Sequence, residues 1–167
     1  MIVLVRVDNR LLHGQILEAW VPRLKVNRIV VVDDGAAASP LAKAAMTLAL
    51  PPDLPAEVVR QDEVDWPSLA AAADRALVLF RDVASLARAT GLGLTPALGP
   101  RVNLGNVHYE PGRRPVTPSV FLSAEELSEV ERLSRAGFEV EARAIPSDAP
   151  SGPRELKERY DAGDGRG

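Results

Sequence analysis

Three short apolar runs fix most of what this chain can become. They lie at 2–7, interrupted only by Arg6, at 29–32 and at 76–80. None alternates polar with apolar residues, as a strand with one wet face would, so each reads as a strand buried on both faces. Between the first two, residues 11–24 place Leu12, Ile16, Leu17, Trp20 and Leu24 at helical spacing. Buried strands alternating with helices predict an α/β fold. The expected architecture is an open, doubly wound, mostly parallel sheet with helices on both faces and right-handed crossovers.

Local signals fill in the rest. Ser39-Pro40 opens a helix, with Ser as cap and Pro in the first turn, and Pro51-Pro52 ends it. A short strand is expected at 57–61, helices at 64–73 and 82–89, a Gly/Pro-containing connection at 91–99 and a strand at 101–104. Residues 116–122 read as extended. Ser123 and Glu126 form a capping-box pattern for a helix to about residue 135, stopped by Gly137. Residues 138–144 alternate like a strand with one wet face. A length of 167 residues suits one core. The expected division is a single domain over 1–160 and a disordered tail at 161–167, rich in Gly and Asp.

Composition excludes several classes. A net charge of −3 gives no basic footprint for nucleic acid or anionic membranes, and 4 % aromatics leaves little for base stacking. The absence of cysteine removes disulfides, thiolate metal sites and a cysteine nucleophile. The N-terminus lacks the basic start and long apolar stretch of a signal peptide, and no run approaches the ~18 apolar residues of a membrane span. A cytoplasmic protein is expected.

In open α/β sheets ligands bind beyond the carboxyl ends of the strands. The first strand exit is the densest in chemistry: Arg6, Asp8, Arg10, His13, Gly14 and Gln15 fall within ten residues. Neutral imidazole is a nucleophile near neutral pH. A carboxylate holds one ring nitrogen and raises the basicity of the other. Arginine matches phosphate oxygens, and a helix start adds free N–H groups for an anion. A lone loop histidine is more often a surface residue, but the arginines and the strand–loop–helix setting favour a phosphoryl acceptor. Asp33-Asp34-Gly35 reads as a turn, with Mg²⁺ binding a weak alternative. Asn103 to Asn106 reads most simply as a loop whose backbone, including Gly105, offers an anion nest. His108 reads as a surface residue, Arg113-Arg114 as a solvated pair, and Trp20 and Trp66 as core. There is no Walker loop, and Gly91-Leu-Gly93 is not a dinucleotide fingerprint.

The segment Arg6-Val-Asp-Asn-Arg-Leu-Leu-His-Gly-Gln15 resembles the N-terminal signature of the IIB subunits of mannose/fructose/sorbose phosphotransferase systems. That signature reads Arg-Ile-Asp-Asp-Arg-Leu-Ile-His-Gly-Gln and precedes a helix with a Trp, here Trp20. The second strand with Asp33-Asp34, the helix end at Ala49-Leu-Pro-Pro52, Leu79-Phe80 and Asn103-Leu-Gly-Asn106 are also similar, the last with Asn106 where the family has glycine. The resemblance covers roughly 1–160. It implies a phosphocarrier that accepts a phosphoryl group on His13 from a phosphorylated IIA protein and passes it to a sugar taken up through a membrane IIC/IID pair. It implies that Arg10 braces the phosphate, with Arg6 a weaker candidate. It implies that Asp8 orients the ring or shapes the loop, that Gly14 and Gln15 supply N–H groups, and that Asn103 and Gly105 contribute phosphate contacts. No metal or organic cofactor is required. The sugar stays open, as does the choice between monomer and homodimer. Two other readings remain: a stand-alone regulator whose His13 phosphorylation is read by a partner, and a non-catalytic anion-binding module.

Overall fold

The computed structural model describes residues 1–163. The three unalternated runs are strands β1 (Ile2–Asp8), β2 (Arg28–Val32) and β4 (Ala76–Phe80), and every residue of β4 has no exposed surface. With β3 (Ala56–Val59), β5 (Arg101–Asn106) and β8 (Glu139–Ala142) they form one parallel sheet in the order β3-β2-β4-β1-β5-β8. The wet-faced run at 138–144 is thus an edge strand. A separate antiparallel hairpin joins β6 (Arg114–Thr117) and β7 (Val120–Leu122).

Helices cover both faces. Ile16, Trp20, Ala42 and Met46 pack on one face with Leu4, Ile29 and Leu77. They come from a π-helical turn Ile16–Trp20 that continues into α1 (Val21–Leu24), and from α3 (Pro40–Leu48). The other face takes α4 (Trp66–Ala71), α5 (Val83–Gly91), α6 (Ala124–Arg135) and α7 (Pro153–Ala162). Ser39 and Ser123 cap their helices as expected, and Asp65 and Asp82 do the same for α4 and α5, each accepting a backbone N–H three residues on. The chain leaves β1 toward β2 and leaves β5 toward β8, in opposite directions. The sheet therefore switches direction between β1 and β5, which is where ligands bind in such folds.

Several expectations are corrected. Residues 11–24 are not one regular helix. Leu11 sits at φ 56° in a turn, its N–H donating to the Asp8 carbonyl, and Leu11 and Leu12 reach the core as loop residues. Their burial mimics helical spacing. Asp33 is no free turn residue but the cap of a short helix α2 (Asp34–Ala37), and Asn103 to Asn106 is strand, not loop. Gln61 lies in a 3-10 turn after β3. Arg113 and Arg114 are not a solvated pair: Arg113 binds Glu126 at 2.6 Å, and Arg114 lies over the Tyr160 ring. Of the expected tail, Asp161 and Ala162 are the last turn of α7, with Asp161 paired to Lys157 at 2.9 Å. Residues 164–167 lie outside the described residues.

Candidate functional site

Strand periodicity sorts β1 into two sides. Val5 and Val7 face the larger core, while Leu4, Arg6 and Asp8 face the side covered by the π-helical turn. Parallel register then places Arg6 beside Asn103 and Asp8 beside Asn106. The register shifts between Val7 and Asp8, so Gly105 is the extra residue of a bulge.

Asp8 is the hub. Its carboxylate has no exposed surface. Oδ2 lies 2.9 Å from His13 Nε2 and 3.0 Å from Arg6 Nη2. Oδ1 accepts the Arg10 backbone N–H at 3.0 Å and lies 3.6 Å from Arg10 Nε. Burial pushes the Asp8 carboxyl up. The His13 hydrogen bond, the Arg6 charge and the Arg10 N–H together outweigh that and hold it below the usual carboxylate range. His13 retains 16 % side-chain exposure. Beside an ionised Asp8, the neutral ring carries its hydrogen on Nε2 and a lone pair on Nδ1, for which the described residues provide no hydrogen-bond partner. His13 also precedes the first helical residues, Gly14 and Gln15, whose N–H groups head the helix.

Arg10 is half exposed but tethered. Its Nη2 donates to Gln15 Oε1 at 3.2 Å. With the Asn106 amide oriented to suit its neighbours, Asn106 donates to Asn9 Oδ1 at 3.1 Å and accepts from Arg10 Nε and Nη2 at 3.3 and 3.1 Å. Asn106, the last residue of β5, therefore fixes Arg10, a role the sequence motif alone did not reveal.

Three expected phosphate ligands stand elsewhere. Arg6 has no exposed surface and spends Nη1 on Asn103 Oδ1 at 2.6 Å and Nη2 on Asp8. Asn103 is equally buried and donates to the Arg143 carbonyl at 3.2 Å. Gly105 backs directly on the Arg6 guanidinium. These three lie buried beneath the loop in the unphosphorylated protein, engaged with one another and with Asp8 and the Arg143 carbonyl. Gln15 contributes a side-chain acceptor to Arg10 in addition to its backbone N–H. Trp20 and Arg143 were not expected at the site. Trp20 Nε1 donates to the Ala144 carbonyl at 3.0 Å, and its ring lies 5.1 Å from Arg6 Cζ and 5.5 Å from Arg143 Cζ. Asp33 is paired with Arg81 at 2.9 Å and Asp34 with Arg88 at 3.1 Å, so both carboxylates serve arginines.

The arrangement is an oriented imidazole with one free ring nitrogen, a tethered guanidinium beside it and a helix start, set at the sheet's switch point. The chain is similar to known proteins over nearly its whole length. A family model described as "PTS system sorbose subfamily IIB component" matches residues 2–160. The fructose-specific EIIB component of Bacillus subtilis (strain 168) is 31 % identical over 150 residues, covering 89 % of this chain and 90 % of that protein. The mannose-specific EIIAB component of Escherichia coli (strain K12) is 29 % identical over 149 residues, 87 % of this chain but 45 % of that protein. Among solved structures, the IIBSor domain of the Klebsiella pneumoniae sorbose permease superposes with a TM-score of 0.82 at 21 % identity, covering 95 % of this chain and 97 % of that one. The manxB protein of Thermoanaerobacter tengcongensis gives 0.83 at 26 % identity, with 96 % of each chain covered. The chain belongs to the sorbose subfamily of PTS IIB components and is a phosphotransferase of a sugar phosphotransferase system.

Proposed function

We propose that His13 is the phosphoryl acceptor, that Nδ1 is the accepting atom, and that residues 1–160 act as one IIB domain. The observation that carries this reading is the 2.9 Å contact between His13 Nε2 and Asp8, which leaves Nδ1 as the free nucleophile. In the transfer, the lone pair of Nδ1 forms a bond to phosphorus as the nitrogen–phosphorus bond of the donor phosphohistidine breaks. The donor ring leaves with that electron pair. Nε2 keeps its proton and its bond to Asp8. Arg10, held by Gln15 and Asn106, braces the phosphoryl oxygens, and the N–H groups of Gly14 and Gln15 face the same anion. Positioning and charge stabilisation carry such a step, with no metal or organic cofactor required.

IIB components of this system work with IIA and IIC/IID components, and the E. coli relative is an EIIAB component, of which this chain covers 45 %. The phosphoryl donor of this chain is then a IIA phosphohistidine, and the acceptor is a sugar entering through a IIC/IID permease. No helix among the described residues is long and apolar enough to cross a membrane, which supports a cytoplasmic carrier that docks on both. The test is NMR of the protein labelled with ¹⁵N-histidine, before and after exposure to phosphorylated IIA. Phosphorus coupling to Nδ1 of His13 is expected. Coupling to Nε2, or to His108, contradicts the assignment.

A further inference from the structure

Arg6 and His13 share one oxygen atom. Arg6 Nη2 lies 3.0 Å and His13 Nε2 2.9 Å from Asp8 Oδ2, while Oδ1 serves Arg10. Arg6 is fully buried and cannot reach a phosphoryl group at the surface. Its place is nonetheless built for it. Asn103 Oδ1 takes Nη1, Trp20 lies against the guanidinium, and the bulge at Gly105 leaves it room: a Cβ there would fall 1.9 Å from Arg6 Cζ.

Holding a cation here is costly. Arg6 Nε has no acceptor, and burial pushes the guanidinium below its ordinary value, with Asp8 pulling the other way. A buried ion pair is often replaceable by apolar residues without loss of stability, so packing alone does not explain the arginine.

We propose that Arg6, seated by Gly105, is a positioning residue that keeps phospho-His13 reactive by drawing charge from the Asp8 oxygen that holds Nε2–H. This rests on His13 as the acceptor. When Nδ1 takes the phosphoryl group, no proton moves, and the ring becomes formally cationic with its Nε2 hydrogen on Asp8. An unshared carboxylate would stabilise that cation and make the phosphorylated state a sink. A carrier must give the group up. A second cation on the same oxygen weakens the grip. Of the other charges around this cluster, Arg10 on the loop meets Asp8 Oδ1 and Arg143 beyond β8 is paired with Glu141 at 2.9 Å, while β5 contributes the neutral Asn103 and Asn106.

Two readouts on the full chain test this: the NMR titration of the His13 ring in the unphosphorylated protein, and the equilibrium of phosphoryl exchange with phosphorylated IIA. In Arg6→Met the His13 midpoint rises by about one unit, and exchange shifts roughly tenfold toward phosphorylated IIB. Gly105→Ala, which displaces the guanidinium, moves both the same way and adds nothing in the Arg6→Met background. Arg6→Lys retains most of the wild-type behaviour. Unchanged titration and exchange in a folded Arg6→Met protein overturn the proposal. Should that variant fail to fold, unchanged values in Gly105→Ala overturn it equally. A wild-type protein that takes no phosphoryl group from charged IIA instead defeats the acceptor reading, and the titration still decides whether Arg6 is coupled to His13.

Discussion

Nε2 of His13 and Oδ2 of Asp8 lie 2.9 Å apart, the carboxylate without exposed surface and the ring open to solvent on one side. The contact fixes both the direction of the ring and the nitrogen that stays free. Asp8→Asn keeps the volume and removes the charge. The phosphorylation rate of His13 is expected to fall on the order of 10- to 100-fold in single-turnover transfer from IIA. Arg6 is left as a buried cation without its counter-ion, so urea denaturation should show a loss of about 3 kcal/mol. A rate within twofold of wild type contradicts the orienting role.

Arg10 is predicted to brace the incoming phosphate, and Asn106 to hold Arg10. Arg10→Ala should lower the transfer rate by at least tenfold with an unchanged far-UV circular dichroism spectrum, an expectation scaled to the loss of one charge-assisted hydrogen bond, about 1.5–3 kcal/mol. Asn106→Gly restores the residue type of the related motif but cuts the tether. A smaller loss, roughly threefold, is expected in the same kinetics. A faster Asn106→Gly protein would show that the tether restrains Arg10 unproductively.

Asp33 caps α2 and pairs with Arg81. Burial raises its carboxyl, but the hydrogen bond from Arg81, the Ala36 N–H and the Arg81 charge lower it more, and the net position is below the ordinary 3.8. Such a depressed carboxylate contributes stability above its unfolded value and loses it as pH falls through the folded one. Asp33→Asn keeps a competent cap and should cost about 1 kcal/mol at pH 7. The difference from wild type should close as the pH drops below about 4. A difference that persists at pH 2 in denaturant titrations would assign the effect to packing instead.

Lys25 ends α1 at φ 52° with its side chain in solvent. A left-handed conformation strains any residue with a Cβ, and glycine relieves it at the cost of extra freedom in the unfolded chain. Lys25→Gly should raise stability by about 0.5 kcal/mol, a Tm gain of roughly 1–2 °C. A lower Tm would mean that the lysine stem contributes more than the backbone loses.

The sheet was legible where burial leaves no ambiguity. β1, β2 and β4 lie inside on both faces, so their apolar runs cannot alternate. The segment from Arg6 to Gln15 stood out because its chemistry is local in sequence. What the sequence concealed is nonlocal. Arg6 reads as a residue leaving a strand toward phosphate, and only the pairing of β1 with β5 reveals Asn103 and Gly105 closing over it. α7 went unread because Leu156 is its only fully buried residue, and pairs such as Arg154–Glu158 at 3.0 Å lie on its polar surface. The π-helical turn hid behind helical spacing, since Leu11 and Leu12 reach the same core without being helical.

The most direct test of the central claim is intact-protein mass spectrometry at mildly alkaline pH. The protein is incubated with phosphoenolpyruvate, the general phosphotransferase proteins and the IIA donor, beside a His13→Ala control. The account predicts one acid-labile phosphoryl group on the wild type and none on the variant. A wild type that stays unmodified while the donor is shown to be charged, or a variant modified as fully as the wild type, would contradict it.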